Sequence, residues 1–440
     1  MCAFARKNVW VNAMANELQL PGLEIQAETI VFTPTREAGL ARLGQFVMRT
    51  GRHYARQRNF DFGLERRNNV SALSPWIRHR LITEEEVLRT TLACHAPSTA
   101  EKFIQEVLWR TYFKGWLEQH PSVWATFQDD LRNTLVELER DNSLNSRFNE
   151  AIEGRTAIDC FDHWVRELIE TGYLHNHARM WFASIWIFTL RLPWQLGADF
   201  FLRHLLDGDP ASNTLSWRWV AGLHTKGKTY LARRENIARY TDGRFDPHGL
   251  SQVALPIVEV AEHARRPITQ ADHMPKGAFL LLVTEEDCRI DELLLRAPAV
   301  VIGLMTIGQR SPLPVGEHAR SFAGGAVTDA LVRNGDTRAY LLSADEDWTA
   351  AVISAACDAN VSSIVTGNAT TGPVASVLKK LGSTFEGAGI RIHQIRRDYD
   401  EVAWPHATRG FFALKQKIPQ ILGELNSLTS DAPIKPTYLD

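Results

Sequence analysis

Two rhythms of apolar and polar positions divide this chain. From Pro34 to about Tyr240, apolar residues recur every three or four positions, which predicts amphipathic helices. The run REAGLARLGQFVMRTGRHYARQR predicts the first, with Thr35 ahead of it as a helix start. Thr83-Glu84-Glu85-Glu86 reads as a capping box that opens a second helix. Residues 100–118, 123–138, 156–171, 175–190 and 195–206 repeat the pattern, the last two divided by Pro193. Near residue 245 the rhythm stops, and Pro247, Gly249, Pro256 and Pro267 mark a linker. From Gly277 short apolar runs take over. Ala278–Thr284, Ala299–Met305, Arg338–Leu342, Ser363–Thr366 and Ile390–Ile395 predict strands, with helical patterns at Trp348–Asn360 and Thr371–Leu381. Almost wholly apolar strands alternating with helices belong to a parallel sheet covered on both faces.

The expected organisation is an irregular segment at 1–33, a helical domain at 34–245, a linker at 246–276 and an α/β domain at 277–440. The fold class is therefore α + α/β: an all-helical domain followed by a parallel-sheet, Rossmann-like one. A chain of 440 residues is too long for one ordinary core, so more than one domain is expected. With 45% hydrophobic and 23% charged residues, it has the composition of a globular protein. No apolar run reaches membrane-spanning length, and the first residues do not read as a secretory signal, so no membrane partner and a cytoplasmic location are expected. The five cysteines (Cys2, Cys94, Cys160, Cys288, Cys357) are scattered without metal-ligand spacing, so no metal is expected. The net charge of -2 means that a nucleic-acid partner must be met by local basic patches. Three runs qualify: Arg49, Arg52, Arg56, Arg58, Arg66 and Arg67; Arg78, His79 and Arg80; and Lys226, Lys228, Arg233 and Arg234.

The chemistry concentrates between His175 and Trp219, where histidines, arginines, Asp207-Gly208-Asp209, Asn213 and several tryptophans fall in one amphipathic region. Four segments there and upstream, taken in order, resemble the photolyase/cryptochrome family. Asn69-Val70-Ser71-Ala72-Leu73-Ser74-Pro75 resembles its TSxLSP segment, with Val70 where the family has threonine. Glu106-Val107-Leu108-Trp109-Arg110 resembles its ExxWR helix. His175-Asn176-His177-Ala178-Arg179-Met180 resembles HNRxRM, with His177 where the family has arginine. Asp207 through Trp219 resembles DGDxAxNxxxWxW. The family places an α/β antenna domain first and the FAD domain last. Here the helical part precedes the α/β part, which implies a permuted order and leaves the antenna chromophore unknown.

The resemblance implies FAD as cofactor. Tyr54, Ser71, Ala72, Leu73, Ser74, Phe103, Arg110, Arg179, Asp207, Asp209 and Asn213 would hold it. The flavin diphosphate would meet hydroxyls and a helix start near Ser71 and Ser74. Arg179 and Asp207 would bracket the ring as a charged pair, and Asn213 would face the flavin N5. Trp217 and Trp194 match the inner members of the family's electron-transfer chain, and the third position falls near Asp141, where no tryptophan stands. Glu106, Asn176, Met180, Trp109 and Trp219 match the pocket for a flipped-out pyrimidine dimer. The implied activity is light-driven repair of cyclobutane dimers in damaged DNA. The alternative is a cryptochrome-like blue-light receptor that binds FAD without repair. Read without the family, Asp207-Gly208-Asp209 is a solvated turn, Ser74-Pro75 a helix cap, and the tryptophans core residues. Gly367-Asn368-Ala369-Thr370-Thr371-Gly372 reads as a tight turn between strand and helix or as a phosphate cradle.

Overall fold

The computed structural model describes residues 29–334 and 337–430, so most of the irregular N-terminal segment lies outside the described residues. The helical part begins at Arg36–Val47, capped by the Thr35 side chain on the Ala38 amide. The run expected to be one helix breaks at residue 48 and resumes at Arg52–Gln57. The capping box at Thr83 is formed as expected and opens the Glu84–Cys94 helix. Glu101–Gln119, Pro121–Arg140, Asp159–Thr171, Asn176–Ser184 and Trp194–His204 follow the predicted periodicity. Asn142–Ile152, Pro210–Val220 and Arg234–Tyr240 are further helices that periodicity did not single out. Residues 245–279 contain no helix or strand.

All five predicted strands are present: β1 (Leu280–Val283), β2 (Val300–Leu304), β3 (Ala339–Leu342), β4 (Ser363–Gly367) and β5 (Arg391–Ile395). Each pairs parallel to its neighbours, in the order β3-β2-β1-β4-β5. β1 and β2 are wholly buried, as strands covered on both faces must be. One face packs Leu280, Leu282, Ile302 and Ile364 against the Trp348–Asp358 and Pro373–Gly387 helices. The other face places Leu281, Val283, Val301 and Val365 in a core shared with Leu43, Phe46, Trp76, Leu88 and Leu108 of the helical part. A hydrophobic core that runs across both parts makes them one packed body.

Polar contacts reinforce that junction. The Thr111 and Tyr399 hydroxyls lie 2.7 Å apart. Gln119 donates to the Trp404 and Ala407 carbonyls. Arg78, His79 and Arg80, expected on a DNA-facing surface, are instead 1%, 0% and 2% exposed. The two arginines meet acidic residues at the carboxyl edge of the sheet. Arg78 donates to Glu286 at 2.7 Å, Arg80 to Asp400 at 2.5 Å and to Asp287 at 3.4 Å. Arg80 sits at a positive φ of 50°, a conformation costing about 1 kcal/mol or more for a non-glycine residue. The carboxylates of Asp400, Asp287 and Glu84 around its guanidinium hold it there.

Candidate functional site

The expected site residues converge from four segments. Asn69 through Leu73 forms a loop whose bend includes Ala72 at φ 53°. Arg42 fixes it by donating to the Ser71 and Val70 carbonyls. The short Ser74–Arg78 helix begins beyond Leu73, with no side chain capping its first amides. Ser74 is thus not the cap; its hydroxyl is one of the groups that favour the ionised Asp207 carboxylate. Tyr54 and Phe103 are buried with ring centres 5.1 Å apart, edge to face.

The charged pair expected from the sequence is formed: Arg179 Nη1 lies 3.0 Å from Asp207 Oδ1, while its Nε donates to the Leu174 carbonyl. Burial alone would raise the Asp207 pKa, but Arg179 and Arg110 outweigh it and hold the carboxyl below its usual range. Asp209 caps the Pro210–Val220 helix by accepting from the Ser212 amide at 2.7 Å, so this DGD is no solvated turn. Burial opposes ionisation of Asp209, yet Lys114, Arg110 and Arg78 keep its carboxyl well below the ordinary value. Those cations stand 3.6–3.8 Å from Oδ2, within ion-pair reach but beyond hydrogen-bond distance. Asp209 Oδ2, Arg110 Nη1, Arg78 Nη1 and Ser212 Oγ are buried and make no hydrogen bond within the protein. Buried polar atoms left in one cluster call for a polar ligand. The donor set, rich in cations, suits an anionic one such as a dinucleotide diphosphate. Lys114 was overlooked in the sequence, although Glu106, Arg110 and Lys114 lie four residues apart on one helix face.

Asn213 is buried, and its amide donates to the Ala198 carbonyl at 2.7 Å. Trp217 packs edge-on against Trp186, at 6.2 Å, and against Phe182 and Phe201. A side chain at Gly197 would meet the Trp217 ring at 2.3 Å, so glycine is needed for this approach. Trp194 packs on Phe127, with Arg218 over its ring. Asp141, at the position of the missing outer tryptophan, caps the Asn142–Ile152 helix through the Ser143 and Leu144 amides.

Toward the surface, Glu106 forms an ion pair with Arg58, which the sequence had placed in a DNA-facing cluster. Burial raises the Glu106 pKa and Arg58 opposes it. Arg67, from the same cluster, is buried against Glu167 and Asp61. Asn176 is exposed and Met180 half-buried on the same helix. His177 contacts Trp181 and Tyr240, and burial, then Arg58, lowers its pKa to about 4. Trp219 stacks on Tyr230. Trp109, expected as a wall open to a base, has one face covered by Phe411, stacked at 3.8 Å and 13°. Phe411 lies 302 positions downstream by numbering, and nothing in the local sequence announced it. The third basic run does face solvent: Lys226, Lys228 and Arg233 are exposed, and Arg234 pairs with Asp246 at the surface. A cavity of about 380 Å³ opens elsewhere, beside Phe32, Leu64, Leu206 and Phe322, and none of the expected site residues lines it.

Residues 103–254 match the family model for the FAD binding domain of DNA photolyase. Over that stretch the helical part of this chain is similar to the photolyase/cryptochrome family. A deoxyribodipyrimidine photo-lyase of Synechococcus sp. is 30% identical over 43% of this chain and 39% of its own length. One from Thermus thermophilus is 30% identical over 56% of this chain and 58% of its own. The chain thus spans about two fifths to three fifths of these relatives. Among solved structures, a class III photolyase from Agrobacterium tumefaciens aligns with 26% identity, a TM-score of 0.40 and coverage of 48% of this chain and 44% of that one. The cofactor of the matched domain is FAD.

Proposed function

We propose that this protein is an FAD-dependent, light-driven enzyme that splits cyclobutane pyrimidine dimers in DNA. The observation that carries the reading is the Arg179–Asp207 pair beside the unsatisfied cluster of Asp209, Arg110 and Arg78, built from motifs in the family's order. Arg110 and Lys114 would hold the diphosphate, with Ser71 and Ser74 hydroxyls alongside. Arg179, Asp207 and Asp209 would orient the ring system, with the Tyr54 and Phe103 rings packing the apolar side. When bound, FAD supplies the excited-state electron on which such repair depends. Trp217 and Trp194 are the residues proposed to pass electrons inward.

Glu106 would serve the dimer. Its carboxyl, held in orientation by the ion pair with Arg58, would hydrogen-bond the bases of the dimer as they gain charge. Asn176, Met180, Trp109 and Trp219 would line the pocket for the flipped nucleotides. Lys226, Lys228 and Arg233 would meet phosphates beside it. The part after residue 277 is then an antenna-like domain in permuted order, with domain limits near 245 and 277. A second reading, a cryptochrome-like blue-light receptor, draws support from Phe411, which occupies the face of Trp109 that a base would use.

Blue-light illumination of the reduced protein with a dimer-containing oligonucleotide separates the two. Loss of dimers supports repair. Bound FAD with no dimer loss leaves the receptor reading.

A further inference from the structure

Open parallel sheets take their ligands at the carboxyl edge, where strand order reverses. The order β3-β2-β1-β4-β5 puts that point between β1 and β4. The helical part's own Leu205–Asp209 loop, with Pro210 opening the next helix, fills it. A side chain at Gly208 would meet Arg310 Nη1 at 2.8 Å, and one at Gly372, beyond β4, would meet Pro210 at 2.8 Å. The Thr371 amide at this edge donates to Glu118 of the helical part, so the turn expected as a phosphate cradle is already engaged. His79 bridges the two sides, 3.1 Å from both the Glu285 and Leu206 carbonyls. Arg78 donates from Nε to the Gly208 carbonyl at 2.9 Å and from Nη2 to Glu286 at 2.7 Å, with Asp209 Oδ2 at 3.8 Å.

We infer that Glu286 and Arg78 are positioning residues through which the α/β part holds Gly208 and Asp209 in place for the flavin. This rests on the reading that Asp207 and Asp209 hold FAD. Two features support a tether over simple packing. Arg78 reaches both sides with one guanidinium, and both groups are buried, so neither has solvent to replace its partner. Without the Glu286 charge, Asp209 is the carboxylate left beside Arg78, which then competes with Arg110 and Lys114 for it.

The test compares wild type, Glu286→Gln and Glu286→Asp. It reads FAD affinity, flavin midpoint potential and amide exchange at Gly208–Ser212, with melting temperature as the control for folding. Glu286→Gln should weaken FAD binding about tenfold, the effect of losing one charged hydrogen bond. It should also speed loop exchange about tenfold and move the flavin potential positive, with Glu286→Asp falling between. The double variant Arg78→Met, Glu286→Met leaves no unpaired buried charge, so it tests the tether if the single variant does not fold; because Arg78 also faces the ligand cluster, the readout there is amide exchange at Gly208–Ser212 without FAD, which should speed because the Gly208 carbonyl loses its donor. Affinity and exchange within twofold of wild type in a folded variant would overturn the inference. If wild type does not retain FAD, the cofactor reading fails on its own, and the exchange comparison still decides the tether.

Discussion

Two basic runs in this chain look alike on paper and end in opposite places. Arg78-His79-Arg80 lies wholly inside the molecule, whereas Lys226, Lys228 and Arg233 face solvent. The difference lies in their partners. The first run meets Glu286, Asp287 and Asp400, more than 200 positions away by numbering, at the carboxyl edge of a sheet. The second has Asp246 beside Arg234 and little else. A cluster of charge in sequence therefore says little about where it goes; complementary charge on the packed surface decides it.

Acid should expose the contrast most strongly. Burial, then Arg78, lowers the His79 pKa to about 3, and burial lowers His175 to about 3 and His177, His204 and His224 to about 4. The unfolded chain protonates these groups near pH 6.5, so unfolding takes up protons below that value. Their contribution is whole above pH 6.5 and is lost as pH falls toward 4, at up to about 1.4 kcal/mol per pH unit for each histidine. Denaturant midpoints measured from pH 7 to 4 should fall steadily. A flat profile would show that these histidines, His79 of the buried run among them, are open to water.

Next in size is Asp287→Ala, which takes from Arg397 its doubly bonded carboxylate and from Arg80 one of its three carboxylate partners. It should cost about 3–5 kcal/mol of unfolding free energy, read from urea titration. A loss below 1 kcal/mol would place the acidic edge at the surface. Arg58 sits between the extremes, half-buried against Glu106. Glu106→Gln should slow dimer repair about a hundredfold with FAD retained; unchanged repair rates would remove its role. The smallest structural effect belongs to the exposed run. Lys226→Gln with Lys228→Gln should change stability by less than about 0.5 kcal/mol. It should also lower the salt slope of DNA binding by about 2. An unchanged slope would remove these lysines from the interface.

Much of the fold was legible beforehand. The Thr83 capping box, the helices around Glu106 and Arg179 and all five strands follow from apolar spacing and local hydrogen bonding. The Pro210–Val220 helix was masked by its own signature, since Asp209 reads as a turn residue until its carboxylate is seen to cap that helix. The Arg179–Asp207 pair was legible through family motifs, but Arg58 on Glu106 and Phe411 on Trp109 were not. Both are contacts between separate segments, with no trace in the spacing of either one.

The sequence by itself determined the elements, their order and the residue types gathered around Asp207 and Asp209, because these depend on local periodicity and short motifs. Only the tertiary structure decided which charges face inward, that the sheet's carboxyl edge receives the Leu205–Asp209 loop, and that Trp109 keeps one covered face. Those outcomes depend on burial and on partners brought from far along the chain. A buried charge is tolerated only beside its complement, and pairing is fixed when the two surfaces pack.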